Sequence, residues 1–516
     1  MSVTEPSSLP PTGKDGSKSF PLGGELLASV VVFLVALPLC MGVAIASGVP
    51  PALGLVTGII GGLIVGIFAG QPLQVSGPAA GLAVMVWQLV EQFGLVGLGL
   101  SVFICGIIQI IASIAGLGRW FRAVSPAVIQ GMLAGIGVII FASQFHVLID
   151  DKPTGSGLKD LFMIPTSFLK AVSGSDGSIH QTAGAVGLMA LLAIVGWSKF
   201  KPKKLSVLPA PLVGVVVAII ATTVLSLNAS KVEVPENMAE ALNLIWEVPD
   251  AMGFLTNGSF WIATVGLALI ASAETLLCAT AVDRLHDGQR TDYKKELLSQ
   301  GIGNVACGLL GALPVCGVIV RSSANVEAGG KTRASAIMHG AWILLLVIIF
   351  PSVLAFIPKA ALAAILVYTG IKLFNFPAAK ALAKKGKWEI AIWATTVVMI
   401  VTTNLLIGVV AGFMLALYRL LYDFSHLDVA IKNEGNRYDV MLEGAATFMS
   451  LPKIAAALES IPDGSEVHVH LDNMSYVDHA CIELIEDWHE RHPGEVILET
   501  DRLVQTPRGS TLGTAS

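Results

Sequence analysis

Leu-Gln-Val-Ser-Gly-Pro-Ala-Ala-Gly, residues 73–81, is the stretch that decides the fold, and its counterpart is Ala-Leu-Pro-Val-Cys-Gly-Val-Ile-Val-Arg at residues 312–321. Each stretch is rich in small residues, is broken by glycine and proline, and lies between long apolar runs. Ser76 can cap a helix whose first turn holds Pro78, and Gly317 can open a second helix. The two stretches therefore predict helices that begin at corresponding positions in the two halves of the chain.

Helix starts of this kind predict an anion site. A helix that begins inside a membrane leaves about four backbone N–H groups without partners in the helix, and its dipole places roughly half a positive charge at that end. Two such ends that face each other would bind an anion near the middle of the bilayer. The alternative is that the glycines only allow helices to pack closely. One broken segment in each half of a hydrophobic chain favours the anion site.

The composition is typical of a polytopic membrane protein. Of the 516 residues, 54% are hydrophobic and 13% are charged, and the mean hydropathy is +0.74. There is no basic stripe or basic motif interleaved with aromatic residues, so no nucleic-acid partner is expected. No nucleophile–base set, phosphate loop or metal cluster is visible, which argues against an enzyme, a cofactor and a bound metal. The six cysteines lie mostly in apolar runs and indicate small core residues.

The apolar segments predict an all-α polytopic membrane domain with fourteen transmembrane segments, seven on each side of a polar linker near 228–255. An odd number of spans in each half means that the second half is inserted upside down, as in the inverted repeats of many secondary transporters. The domain covers 20–425, with repeats at about 20–227 and 255–425, and residues 1–19 are predicted to be a disordered tail. The segments lie at about 26–46, 52–70, 76–92, 97–117, 124–142, 183–198, 207–227, 259–283, 296–313, 318–328, 335–356, 358–375, 388–403 and 404–422.

The distribution of positive charge predicts that both termini are cytoplasmic. If the N-terminus starts in the cytoplasm, the even-numbered exits carry clusters of Lys and Arg. The long odd-numbered loops, 150–180 and 228–255, are poor in Lys and Arg and carry acids. We therefore expect a multi-pass protein of the cell (inner) membrane. The cytoplasmic clusters are Arg119 and Arg122; Lys199, Lys201, Lys203 and Lys204; Arg284, Arg290, Lys294 and Lys295; Lys331 and Arg333; and Lys372, Lys380, Lys384, Lys385 and Lys387.

A small cytoplasmic α/β domain is predicted at 437–502, followed by a disordered tail at 503–516. About 65 residues is near the lower limit for an independently stable domain, so contact with the membrane domain or with a second copy is expected. Strands are predicted at 438–442, 466–471 and 496–499, and helices at 452–458 and 477–491.

His468, His470 and Asp472 alternate along one predicted strand of this domain. Their spacing permits a metal ligand set, but three aligned ligands on a sheet seldom converge and no cysteine joins them. No metal site is therefore expected here.

Several motifs together resemble those of the SulP family of anion transporters, whose eukaryotic members include sulfate transporters, chloride/bicarbonate exchangers and prestin. The sequence Leu-Asp-Asn-Met-Ser-Tyr-Val-Asp-His at 471–479 also resembles the signature of a STAS domain, the usual C-terminal partner. The resemblance covers about 22–500. The SulP-like motifs are Ala-Leu-Pro-Leu-Cys-Met-Gly-Val-Ala-Ile-Ala-Ser-Gly-Val-Pro-Pro at 36–51, Gln-Val-Ser-Gly-Pro at 74–78, Gly-Ile-Gly-Asn at 301–304 and Gly-Val-Ile-Val-Arg-Ser-Ser-Ala-Asn-Val-Glu-Ala-Gly-Gly-Lys-Thr at 317–332.

The resemblance implies a seven-plus-seven inverted repeat divided into core and gate, an elevator-like movement and a homodimer. It also implies that the STAS domain provides a dimer contact or a docking surface for a regulatory partner. The anion would bind between the starts of half-helices 3 and 10.

The same resemblance gives a set of binding residues. Many family members carry a hydroxyl residue at the position of Ala79, so here backbone N–H groups are expected to hold the anion. The first span, which Pro38 and Cys40 are predicted to break, would contribute a wall of the pocket. The predicted substrate-binding residues are Ser76, Gly77, Pro78, Ala79, Ala80, Gly317, Val318, Ile319, Val320 and Arg321, with Leu39 and Cys40 in the wall.

Glu274 is an acid within the eighth predicted segment. A carboxylate at membrane depth is costly, so such residues are usually functional, paired or protonated. The resemblance places it beside the substrate site, where a sodium-coupled bicarbonate transporter of the family has Asp, with Thr one turn on. Here the residue one turn on is Cys278, a poor ligand for a hard cation, so proton coupling is favoured over sodium coupling. The alternative is a structural pair with Arg321.

Other polar residues near these segments suggest structural roles. Gln300 and Asn304 share a helix face and are expected to form interhelical hydrogen bonds. Asp283 and Glu296 flank a predicted cytoplasmic loop and are expected to cap helices or form salt bridges.

The sequence thus predicts a secondary active transporter of a small inorganic anion, with bicarbonate and sulfate as the leading substrates. One alternative is a nucleobase transporter of the same seven-plus-seven fold, although those proteins use acids in spans eight and ten and the tenth segment offers only Arg321. A second alternative is a non-transporting anion sensor or channel that resembles prestin.

Overall fold

The structure is a computed structural model that describes residues 22–118, 125–173, 178–202, 208–233, 242, 251–471 and 474–499. The chain divides into two units, Met1–Val410 and Ala411–Ser516. The predicted tails at 1–19 and 503–516 lie outside the described residues, as does most of the predicted linker at 228–255.

The first unit is built from helices. Its first half contains α1 (Leu22–Ala46), α2 (Pro51–Ile60), a π-helical turn (Gly61–Val65), α3 (Gly66–Phe68), α4 (Ala83–Ile114), α5 (Pro126–Leu148), α6 (Gly157–Ser173), α7 (Ser178–Phe200) and α8 (Ala210–Val224). Its second half contains α9 (Ala251–Leu255), α10 (Gly258–Asp283), α11 (Tyr293–Leu309), α12 (Ile319–Glu327), α13 (Ala334–Ile349), α14 (Pro351–Leu354), α15 (Lys359–Phe374), α16 (Phe376–Lys385), α17 (Lys387–Thr402) and α18 (Leu405–Ser425), within which the division between the units falls.

Eight helices in the described part of the chain are long and apolar enough to cross a membrane. The helices α8 and α13 are apolar but shorter. Each predicted apolar segment overlaps a helix, and the number of segments that span the bilayer stays a prediction. The third and fourth predicted segments both fall in α4, which is interrupted at Gly94, where φ is +69°.

The first helix is continuous, so the predicted break at Pro38 and Cys40 is wrong. α1 runs from Leu22 to Ala46 with Pro38 inside it. Proline removes one backbone hydrogen bond from a helix, but neighbouring helices can compensate within a membrane. Helices α2 and α13 both pack along α1 and support it.

Two short strands precede the helix starts, and the predicted cap at Ser76 is wrong. β1 (Ser76–Pro78) pairs antiparallel with β2 (Val315–Gly317), so that Ser76 lies opposite Gly317. The chain stays extended through Ala79 and turns into a 3₁₀ helix at Ala80–Leu82 before α4 begins. Extended backbone buried in a membrane protein must find hydrogen-bond partners, and the strand pairing supplies them.

Small residues bring helices together elsewhere in the unit. α5 packs against α15 with Gly137 facing Gly370. A Cβ atom at Gly137 would lie 2.6 Å from the carbonyl oxygen of Gly370. Glycine therefore allows helices to pack closely in this unit, as in membrane proteins generally, in addition to forming the broken segments.

The second unit contains a five-stranded sheet and two helices. β3 (Leu427–Glu434) and β4 (Arg437–Ala446) are antiparallel, and β4 pairs parallel with both β5 (Glu466–His470) and β6 (Met474–Val477). β7 (Val496–Glu499) pairs parallel with β5, and the helices are α19 (Leu451–Glu459) and α20 (His479–Arg491).

The predicted start of this domain at 437 is wrong. β3 belongs to the sheet and begins at Leu427, so the boundary lies ten residues or more before the predicted one. The predicted helix at 477–491 is also too long, because β6 ends at Val477 and α20 begins at His479.

The two histidines of the predicted alternating trio have different acidic neighbours. His468 Nε2 lies 2.9 Å from Glu466 Oε1, and His470 Nε2 lies 3.1 Å from Asp439 Oδ1. Asp472 lies outside the described residues. Arg437 also donates to Asp439, and the hydrogen bonds from Arg437 and His470 lower the pKa of that carboxyl.

Candidate anion site

The 3₁₀ turn that leads into α4 and the start of α12 both reach a cavity of about 290 Å³, here named cavity A. Helices α1, α5, α10 and α15 supply the rest of its wall. Three residues of the predicted set, Ser76, Gly77 and Cys40, are buried but do not line the cavity. The predicted residues that do line it are Leu39, Pro78, Ala79, Ala80, Gly317, Val318, Ile319, Val320, Arg321 and Glu274.

The first turn of α12 presents backbone donors at this cavity. The first hydrogen bond of the helix runs from Ser322 N–H to Val318 O, so the N–H groups of residues 319–321 precede it and have no partner within the helix. On the other side, the first bond of the 3₁₀ turn runs from Leu82 N–H to Ala79 O. Both helix starts therefore offer donors and the positive end of a dipole to a negative ligand.

Hydrogen bonds across the strand pair fix where α12 begins. Val318 N–H donates to Val75 O at 3.0 Å, and Gly317 N–H donates to Thr275 Oγ1 at 3.1 Å. In return, Val75 N–H donates to Ser322 Oγ at 2.9 Å. The two broken segments are thus fastened to each other and to α10.

Arg321 is a buried cation with open donors. Its side chain is 0% exposed, and Nη2 donates to Pro78 O at 3.4 Å. The Cys40 thiol is a further neighbour of the guanidinium. Among the described residues, Nε and Nη1 have no hydrogen-bond partner. The neighbouring residue 77 must be glycine, because a Cβ atom on Gly77 would collide with the guanidinium of Arg321.

Glu274 lies on α10 and also faces cavity A. Its carboxylate accepts from the Cys316 thiol and lies so close to Gly81 that a Cβ atom there would collide with it. In the described part of the chain, Glu274 Oε2 has no hydrogen-bond partner. The alternative of a structural pair with Arg321 is therefore not what the structure contains, since the guanidinium donates to Pro78 instead.

The side chain of Asn304 on α11 forms hydrogen bonds that position β2. Its Nδ2 donates to Val315 O at 3.0 Å and its Oδ1 accepts from Val315 N–H at 2.8 Å. Nδ2 also donates to Gln109 Oε1 on α4 at 2.8 Å. The expected interhelical hydrogen bond is present, and the same amide also positions β2.

Glu296 organises the segment before β1. Its buried carboxylate accepts from the N–H groups of Gly70 and Gln71 and from the side chain of Gln74. Gln300 Nε2 donates both to Glu296 at 3.0 Å and to Ser76 Oγ at 2.7 Å. Ser76 is therefore part of the scaffold, and Glu296 has a larger structural role than the predicted cap or salt bridge.

The sequence did not identify the contribution of other helices to cavity A. Gln130 on α5, Thr369 on α15 and Arg284 at the end of α10 all line it. Arg284 is solvent-exposed and adds a second positive charge. Nothing in a single sequence indicates which faces of α5 and α15 meet the broken segments. These residues therefore could not be recognised from the sequence as part of the cavity lining.

A second cavity of about 280 Å³, here named cavity B, adjoins cavity A. Cavities A and B share Ala80, Gly81 and Ile136 in their linings. The polar residues of cavity B among those described are Gln88, Gln92, Ser259, Thr403 and Asn404.

Comparisons with known proteins agree with this architecture. Residues 22–396 match the sulfate permease family. The chain is 30% identical over 404 residues to YvdB of Bacillus subtilis (strain 168), a candidate sulfate transporter, covering 76% of this chain and 72% of that protein. It is 25% identical to the bicarbonate transporter BicA of Picosynechococcus sp. (strain ATCC 27264 / PCC 7002 / PR-6), covering 76% of this chain and 69% of that protein. These relatives are transporters, which confirms that the chain is not an enzyme.

The fold is also similar to a solved structure. The murine Solute Carrier 26 family member A9 anion transporter, in the inward-facing state, superposes with a TM-score of 0.69 at 14% identity. The match covers 94% of this chain and 86% of that one. At this identity the likeness concerns the fold alone.

Proposed function

Because the chain belongs to the sulfate permease family, we propose that it is a secondary active transporter that carries a small inorganic anion across the cell membrane. The predicted SulP membership is confirmed by the family match, and the chain is a multi-pass membrane protein. The family match also favours an anion over the nucleobase alternative.

The observation that carries the proposal is the set of unpartnered donors on residues beside cavity A. A buried guanidinium whose Nε and Nη1 have no hydrogen-bond partner is costly unless a negative group accepts hydrogen bonds from it. The N–H groups at the start of α12 lie on residues that line the same cavity. A small anion between the 3₁₀ turn before α4 and the start of α12, which are the predicted starts of half-helices 3 and 10, would satisfy both sets of donors.

Sulfate and bicarbonate are the leading substrates. The relatives named for each ion are about equally remote in sequence, at 30% and 25% identity. Backbone donors suit partly dehydrated anions of either charge and do not choose between them. An ionised Glu274 would repel divalent sulfate more than monovalent bicarbonate, so the charge on this residue would influence selectivity.

Transport would occur by an elevator-like alternating access. The part of the first unit that carries β1, β2 and the helix starts would move relative to α5 and α15, which belong to the same unit. Cavities A and B would be the two access routes. The positive-inside pattern supports placing Arg284 and both termini on the cytoplasmic side of the inner membrane. A seven-plus-seven inverted repeat with fourteen spans fits the helix order.

Glu274 is the candidate coupling residue. It faces cavity A with one unpartnered oxygen, which a proton could occupy as the anion binds. Proton coupling is favoured over sodium coupling because the residue one turn on, Cys278, offers a soft thiol rather than an oxygen.

The second unit is proposed to be a STAS domain. Its mixed sheet with two helices and its position after the membrane unit support this assignment. A homodimer and a regulatory partner at this domain are proposed on the same basis.

Uptake by purified protein in liposomes tests the function. Labelled sulfate, bicarbonate and chloride are compared with and without sodium and across an imposed pH gradient, with labelled uracil as the test of the nucleobase alternative. We expect accumulation of sulfate or bicarbonate that depends on the pH gradient and not on sodium. Uptake of no anion above that of protein-free liposomes would contradict the proposal, and voltage-dependent charge movement without flux would favour the prestin-like alternative.

A further inference from the structure

Cavities A and B are neighbours that share part of their lining, here named the wall. Only three described residues line both of them: Ala80, Gly81 and Ile136. Ala80 and Gly81 belong to the 3₁₀ turn that leads into α4, and α5 packs against that turn. The wall therefore consists of one backbone turn on one side and one helix face on the other.

Helix α5 runs past both cavities. Met132 lines cavity A only, and Ile139 lines cavity B only. Residues three or four apart share one face of a helix, so Met132, Ile136 and Ile139 form a row along α5. Ile136 is the middle member of that row and lies at the wall.

Ile136 is the largest side chain in the wall. Gly81 has no side chain, and there is no room for one because Glu274 lies behind it. Ala80 contributes one methyl group. Ile136 is 4% exposed, so its branched side chain fills the space that the two small residues leave.

The two cavities differ in charge. Cavity A is lined by Arg284, Arg321 and Glu274, whereas the described lining of cavity B contains only neutral polar and apolar residues. An anion would be held in cavity A and would meet only neutral hydrogen-bonding groups in cavity B. An opening through the wall would therefore pass anions in preference to cations.

We propose that the side chain of Ile136 separates the two cavities and prevents passive leakage of anions through the protein. Shortening it joins cavities A and B into a continuous anion-selective path. The inference rests on one part of the proposed function, the anion site in cavity A, and not on transport itself.

The test is passive anion leakage from liposomes that contain the full-length protein. Chloride efflux is measured under a potassium diffusion potential, without substrate on the opposite side. Ile136→Ala is expected to leak chloride on the order of tenfold faster than the wild type, the effect of a barrier lower by about 1.4 kcal/mol. Ile136→Val, a milder change, is expected to give a smaller increase.

Two matched variants on the same helix face serve as controls. Met132→Ala enlarges cavity A and Ile139→Ala enlarges cavity B, and neither removes the wall, so both are expected to keep the wild-type leak. Sodium efflux from the same liposomes checks selectivity, because a damaged protein would release cations as well.

The outcomes separate this inference from the proposed function. If the wild type accumulates anions but both Ile136 variants, folded by size-exclusion chromatography, leak no faster, the inference is wrong and the transporter stands. Equal leakage in the control variants, or equal release of sodium, would also overturn it. If Ile136→Ala conducts chloride while the wild type accumulates no anion, the wall inference stands and the transport proposal fails.

Discussion

Arg321 is a buried cation that the surrounding chain only partly satisfies. One of its nitrogens reaches Pro78 O, and two others have no partner in the described part of the protein. Buried polar groups are normally paired, so each exception calls for an explanation. The anion ligand that we propose would explain this exception and would also use the N–H groups of the adjacent helix start.

Replacing Arg321 is expected to remove most of the anion affinity. For Arg321→Gln we expect uptake and equilibrium binding to fall by on the order of ten- to a hundredfold, which corresponds to about 1.5–3 kcal/mol for hydrogen bonds to a charged group. Arg321→Lys should be intermediate, because an ammonium does not reproduce the planar donor fork. Arg284→Gln is the matched control, and its smaller effect should vanish at high salt. Equal losses for both arginines would contradict a specific role for Arg321.

Gly77 is expected to be required for the position of Arg321. A methyl group at this residue would collide with the guanidinium, so Gly77→Ala should displace it and lower anion affinity, with a destabilisation of about 1–3 kcal/mol from overpacking. Thermal unfolding and binding are measured on the same preparation. Gly196→Ala, where a Cβ atom meets nothing within 4 Å, is the control; it should leave binding unchanged and, because alanine suits a helix interior better than glycine, should not lower the unfolding temperature.

Glu274 is expected to link transport to pH. In the wild type an inward proton gradient should accelerate uptake, and Glu274→Gln should transport at a rate that no longer responds to the gradient, because the amide cannot exchange the coupled proton. Liposome uptake at fixed anion concentration and varied internal pH measures this. The same response in both proteins would rule out the coupling role.

At the scale of residues, the sequence identified the charged groups but not all of their contacts. Glu274 and Arg321 both face cavity A, as expected for ionisable residues at membrane depth. Ser76 was predicted to cap a helix, yet it binds Gln300 from within a strand. A serine two residues before a proline fits both conformations, and only the partner strand, distant in sequence, decides between them.

Among the secondary-structure elements, the strand pair β1–β2 connects the two broken segments. It holds the starts of α4 and α12 at the same cavity, and Asn304 fixes β2 by bonding both polar groups of the Val315 backbone. The antiparallel pairing relates one segment from each half of the chain.

Loss of the Asn304 amide is expected to loosen β2. Asn304→Ala leaves the buried N–H and carbonyl of Val315 without these partners, at about 1–3 kcal/mol for each unsatisfied group. Asn304→Asp keeps the acceptor for the N–H group but places a second oxygen against Val315 O and Gln109 Oε1, so it should also be destabilised. Thermal unfolding and anion binding of the two variants test this. An unchanged unfolding temperature in Asn304→Ala would show that the strand does not depend on the amide.

Element boundaries were predicted well where hydrophobic runs are long and poorly where the elements are short. α10 and α18 lie close to their predicted segments. β1 and β2 contain only three residues each, too few for a periodic pattern. β3 alternates apolar residues at Leu427, Val429 and Ile431, but it follows directly after a long helix and was assigned to the region between the domains.

At the scale of the whole molecule, the sequence shows one Gly/Pro-broken segment in each half of the membrane domain, and the structure pairs these two segments as β1 and β2. The assembly of the pocket was not visible, because it depends on which faces of α5 and α15 meet the broken segments. Cavity B and the shared wall at Ile136 follow only from that three-dimensional arrangement.

The central claim is that an anion binds in cavity A between the two helix starts, and the most direct measurement is to locate a bound anion. Selenate, the selenium analogue of sulfate, can be placed in crystals of the protein by its anomalous scattering. We predict a selenium peak about 4 Å from the nitrogens of the Arg321 guanidinium and of the N–H groups of residues 319–321, because hydrogen bonds of about 3 Å join those nitrogens to the oxygens of the anion. If the protein transports selenate while the anomalous peak lies elsewhere and cavity A holds none, the claim is contradicted.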